Sequence, residues 1–175
     1  MKRYLLVGVA ILAAACGSSN STPAPTPLPT SIVFTAALSA SNEVPPITNA
    51  DSNGKGNGTF TLNVTRDGAG NITAAKGTFV YNLSGFPAGT TVRATHIHEG
   101  GPGIGNGTVK IDTGLTAANA FALNPDGSIG NQTFADKDVD VALANLIIAN
   151  PNGYYFNVHT ALNPGGAVRA QLVKQ

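Results

Sequence analysis

From Ile32 onward the chain alternates apolar and polar residues with a period of two, the repeat of a strand with one buried face. Ile32, Phe34, Ala36 and Leu38 fall on one face of a first strand, and Phe60, Leu62 and Val64 on one face of a second. Arg66 to Asn71 (RDGAGN) is turn chemistry, so Thr59–Thr65 and Ile72–Leu83 are predicted to form a hairpin with Phe79, Tyr81 and Leu83 inward. Further strands are predicted at Thr91–His98, Thr108–Asp112, Tyr154–Thr160 and Ala167–Val173. Weaker patterns at Ala120–Leu123 and Ser128–Thr133 flank the turn Asn124-Pro125-Asp126-Gly127. A single segment departs from period two. Val139, Leu143, Leu146 and Ile147 are spaced as a helical stripe, with Asp138 or Asp136 as N-cap and Asn150-Pro151 as the stop. The pattern therefore predicts an all-β fold, an immunoglobulin-like or Greek-key β-sandwich or barrel with one short helix.

The N-terminus obeys other rules. Lys2 and Arg3 precede an apolar or small run from Tyr4 to Ala15, the layout of a signal peptide over residues 1–15. Twelve residues would rise only about 18 Å as a helix, short of a hydrocarbon core of about 30 Å. The run ends in Leu12-Ala13-Ala14-Ala15-Cys16-Gly17, which resembles a lipobox with Cys16 as the lipidated residue. Cys16 is the only cysteine, so no intrachain disulfide can form. Residues 17–30 are rich in Ser, Thr and Pro and read as an extended tether, giving a lipid-anchored segment over 16–30 and a folded domain over 31–175. The expected location is a bacterial cell envelope, on the periplasmic or outer-membrane face.

Ten basic residues face nine acidic ones. Loss of Lys2 and Arg3 leaves eight against nine, and the remaining basic residues are scattered, which argues against nucleic acid as a partner. Nucleophile motifs of the Gly-x-Ser-x-Gly type are absent, and no pair of carboxylates stands out for acid–base work.

All three histidines fall in two segments. His96 and His98 lie two apart near the end of one predicted strand, on the same face, and His159 closes another on the face that also carries Tyr155 and Asn157. If those strands are neighbours, three imidazoles converge, a donor set suited to one copper or zinc ion. The alternative is a hydrogen-bonded structural cluster. Glu99 points to the opposite face in ideal strand geometry and joins such a site only if the strand bends at His98. Glu43 either hydrogen-bonds a loop or approaches the metal. Glu99, Asn157 and Glu43 are thus the candidate supporting residues. The Gly-rich run from Glu99 to Gly107 reads as a connector or an anion cradle, without the Lys-Ser/Thr ending of a phosphate loop. Arg169 is expected to pair with an acid or with carbonyls, or to recognise an anion.

Asn42-Glu43-Val44-Pro45-Pro46, His96-Ile97-His98, the Gly-Pro-Gly loop and the run from Asn157 through Asn163-Pro164-Gly165-Gly166 to Leu172 together resemble the CHRD domain, named for chordin. The resemblance spans about Ile32 to Val173 and implies an immunoglobulin-like β fold in an extracytoplasmic setting, without implying a reaction. Two readings follow: a binding or scaffold module for an unidentified extracytoplasmic protein or ligand, or a mononuclear copper or zinc protein with a redox, storage or hydrolytic role.

Overall fold

A computed structural model of the chain describes residues 27–175; the leader and Cys16 lie outside the described residues. Ten strands form one sheet in which every pairing is antiparallel: β1 (Ser31–Ser39), β2 (Lys55–Arg66), β3 (Ile72–Ser84), β4 (Thr91–Glu99), β5 (Thr108–Asp112), β6 (Phe121–Ala122), β7 (Ile129–Val139), β8 (Tyr154–Thr160), β9 (Val168–Gln171) and β10 (Val173–Lys174). The main path runs β5-β4-β8-β9-β1-β2-β3-β7, with β10 on β1 and β6 on β4. The sheet curls until its outer strands β5 and β7 approach without pairing, a nearly closed barrel.

The inward faces are the ones the alternation marks. Phe34, Phe60 and Phe79 stand opposite one another across β1, β2 and β3, and Phe156 of β8 meets Phe79 edge-on across the core at 5.4 Å. Such contacts add to the burial of each ring. The β2–β3 turn is held by Asp67, whose carboxylate accepts from the backbone N–H groups of Ala69 and Asn71 and from the Asn71 amide. Those bonds lower the Asp67 pKa. Gly70 supplies the positive φ the turn requires.

The helix differs from its expected frame by a few residues. It is α1, Val141–Ala149, capped by Asp140, whose carboxylate accepts from Ala142 N and Leu143 N. Asp136 and Asp138 cap nothing: both belong to β7, and Asp138 pairs with Lys76. Val139 closes β7 opposite Ala75, so the expected stripe began inside a strand. Ala144 and Ile147 face the core, and Leu146 is exposed. β7 itself runs six residues beyond its expected end at Thr133.

The last four residues of the expected tether are described, and they are tied down. Thr30 O accepts from Val64 N, and Pro29 O accepts from Arg66 Nε. The domain therefore grips its own leading segment on the β2–β3 hairpin. No helix among the described residues is long and apolar enough to cross a membrane.

Candidate metal centre

β4 and β8 are neighbours, in a register that sets Ala94 opposite His159, His96 opposite Asn157 and His98 opposite Tyr155. Ile97, Phe156 and Val158 point into the core. Alternation then sends His96, His98, Tyr155, Asn157 and His159 to the other face. There the loops at 40–47, 99–107 and 161–166 fold over them, and all seven residues of β8 are buried.

The three imidazoles converge. His96 Nδ1 lies 3.1 Å from His159 Nε2, and His98 Nε2 lies 3.4 Å from the same atom. One ligand nitrogen from each ring lies within 4.8 Å of the other two. Bonds of about 2.0–2.1 Å to a tetrahedral zinc would separate neighbouring nitrogens by about 3.3–3.4 Å. The outward nitrogens are anchored. His98 Nδ1 donates to Gly107 O at 2.8 Å, and His159 Nδ1 donates to Pro164 O at 3.0 Å. Carbonyls only accept, so both protons sit on Nδ1 and both Nε2 lone pairs face the shared centre. His96 Nε2 is 3.6 Å from the Asp112 carboxylate, which leaves its Nδ1 to turn inward. Two rings held by backbone carbonyls and a third beside a carboxylate form the supporting shell a bound metal requires.

The electrostatics favour neutral rings. Burial lowers the pKa of His96, with Asp112 opposing. Burial likewise lowers His98. His159 falls to about 4, from burial first and then from the charge His96 would carry. Neutral imidazole is the metal-binding form, so no proton need be displaced near neutral pH. The side chain of His96 retains 14% of its exposure, the largest opening onto the cluster.

The supporting residues expected from the sequence fall elsewhere. Glu99 ends β4 away from the imidazoles, paired with Lys110 at 2.7 Å and half exposed. Glu43 and Asn157 make no hydrogen bond to an imidazole; they meet each other beside Gly166 in the adjoining cavity. The Glu43 carboxyl makes no hydrogen bond to a loop among the described residues, and its Oε1 is buried without a partner. Asn42 does: its Nδ2 donates to Arg169 O, while Arg169 Nε donates to Asn42 O. The 99–107 run is a connector. Its Gly100, Ile104 and Gly107 amides donate to protein acceptors, the last to Tyr155 OH.

Sequence reasoning missed two contributors, Asp112 and Asp51, and gave a third, Tyr155, a face but no role. Tyr155 stacks on His98 with ring centres 4.9 Å apart and planes 5° from parallel. Asp112 reaches His96 from β5, the strand paired with β4. Buried Asp51 accepts from Thr160 Oγ1 and Asn163 Nδ2, fixing the turn that carries Pro164. In that turn Gly166 takes positive φ. Alternation does place Tyr155 on the histidine face; the other two depend on long-range pairing.

The family model of the CHRD domain matches residues 34–172. The chain belongs to the CHRD-domain family. That match runs from Phe34 within β1 through both histidine segments and β9 to Leu172. No curated protein and no solved structure matches the chain.

Proposed function

We propose that this CHRD domain is a binding module of the bacterial cell envelope whose own ligand is a single copper or zinc ion, held by His96, His98 and His159. The reading is supported chiefly by the convergence of three imidazole nitrogens within 4.8 Å, two of whose separations, 3.1 and 3.4 Å, are close to those of neighbouring ligands on one small cation. With the Nδ1 protons of His98 and His159 turned outward to carbonyls, their Nε2 lone pairs face one centre, an arrangement that a cation placed there would stabilise. Three protein ligands leave a fourth position for water, a substrate or a partner's side chain, and the partly open edge at His96 gives that position access. The domain then serves as a scaffold displaying a metal, in keeping with the binding role that CHRD membership suggests.

The setting is part of the proposal. A signal peptide over residues 1–15 and lipidation of Cys16 place the domain on the periplasmic or outer-membrane face, its membrane partner being its own lipid. An unidentified extracytoplasmic protein or ligand completes the set of partners.

Metal analysis of the purified protein tests the centre. Dialysed against copper or zinc, the chain is expected to retain about one ion, and His98→Ala and His159→Ala to retain none. Protein that ignores both metals would end this reading. Cys16→Ser is expected to move the protein from membranes to the soluble fraction; unchanged membrane association would contradict the anchor.

A further inference from the structure

Beside the histidine cluster lies a second cavity, of about 310 Å³, within the range of small-molecule sites. Its floor is Glu43, Asn157 and Arg169; Val44, Pro46 and Leu162 contribute its apolar wall. The three polar residues are more than nine-tenths buried and poorly satisfied. Glu43 Oε1 and Asn157 Oδ1 have no hydrogen-bond partner. Arg169 donates through Nε to Asn42 O, and that is the single hydrogen bond of its guanidinium among the described residues. Glu43 and Arg169 do not form an ion pair with each other. Desolvation lifts the Glu43 carboxyl to about 7, with Arg169 only partly offsetting it.

Buried groups of this kind are costly unless something supplies the missing partners. Two lone acceptors call for a donor, best a cation. The guanidinium beside them, directly across the β8–β9 ladder from Asn157 and with free Nη groups, calls for a carboxylate. The turn at Gly166 makes room for the acceptors. A Cβ there would lie 2.7 Å from Asn157 Nδ2 and 2.9 Å from both Glu43 oxygens, and φ is +134°. The pocket offers no open aromatic face for a sugar ring. Tyr155 is covered by His98 on one side and by the Arg169 guanidinium, 4.3 Å from the ring centre.

We propose that this cavity binds a small zwitterion of the α-amino-acid type, its ammonium between Glu43 and Asn157 and its carboxylate on Arg169. The free volume and the apolar wall suit a modest side chain. This site is separate from the metal reading: none of its three polar residues is a metal ligand, and it stands whether or not an ion binds.

The test uses the purified full chain and pools of the twenty protein amino acids, screened by saturation-transfer NMR and followed by calorimetry on the hits. At least one amino acid is expected to bind with a Kd of about 1 mM or tighter. Acetate and methylammonium, the two halves presented singly, should each bind at least about tenfold more weakly. Glu43→Gln should weaken the zwitterion by about tenfold or more, and Leu162→Trp, at an exposed wall position, should block it while leaving zinc uptake intact. Silence from all twenty at about 10 mM overturns the proposal. So does binding that both variants leave unchanged, or halves that bind as well as the whole. Zinc uptake is measured on the same samples, so failure of this site and failure of the metal centre are told apart.

Discussion

The β2–β3 and β8–β9 hairpins use the same alternation of side chains to opposite ends. In β2 and β3 the inward residues Phe60, Leu62, Phe79, Tyr81 and Leu83 are buried, while most of the other face meets water. In β8 both faces are buried, and the one turned from the core carries Tyr155, Asn157 and His159 under three loops. The first arrangement draws its packing stability from apolar area. The second buries polar groups whose partners are only partly supplied by the protein, and that shortfall makes a site. A half-exposed strand builds the barrel; a strand covered on both sides holds the chemistry.

The contrast breaks most readily at the aromatic ladder. Phe60→Ala is expected to cost about 3–5 kcal/mol in denaturant unfolding, with metal stoichiometry in the remaining folded protein unchanged. At the other hairpin the large effect is on linkage. Zinc at about 100 to 1,000 times its Kd should stabilise the native protein by about 2.7–4.1 kcal/mol and leave His159→Ala unaffected. Equal stabilisation of both proteins would place the ion elsewhere.

Acid sharpens the comparison, because the two buried groups of the polar rim titrate in opposite senses. Unfolded imidazoles take up protons near 6.5, whereas folded, metal-free His159 does so only at about 4. The unfolded state therefore binds more protons in that window, and stability falls as the pH drops from 6.5 towards 4. For Glu43 the folded carboxyl takes its proton at about 7 and the unfolded one near 4.5. Its contribution is complete below 4.5 and is lost as the pH rises through 7. Melting curves across pH should show His159→Ala abolishing part of the acid-side loss and Glu43→Gln part of the loss towards neutrality.

Much of the apolar half was legible from the chain itself, because burial of one strand face imposes period two whatever the strand order. Phe34, Phe60, Phe79 and Leu83 all lie where that period puts them. The helix frame was misjudged for a related reason. Val139 is equally apolar as the last residue of a strand or the first of a helical stripe, and its pairing with Ala75 decides the matter from 64 residues away. For the candidate site, His-x-His on one face follows from alternation, but the meeting with His159 depends on β4 pairing with β8, which period two does not encode. Glu43 was visible as an acid in a Pro-rich stretch; that it faces Gly166 and Arg169's neighbourhood follows only from the turn at 163–166 folding over it.

Smaller effects mark the periphery. Asn42→Ala removes the donor to Arg169 O and is expected to cost about 1 kcal/mol, seen as a lower denaturant midpoint. Lys76→Ala deletes a solvent-exposed pair with Asp138 and should change stability by no more than about 0.5 kcal/mol.

X-ray absorption at the metal edge of protein loaded with one equivalent of zinc tests the central claim most directly. The expected spectrum has about three imidazole nitrogens at about 2.0–2.1 Å and one further oxygen ligand, and it collapses to the hydrated ion in His98→Ala. A spectrum of all-oxygen coordination, or one that His98→Ala leaves untouched, would contradict the account.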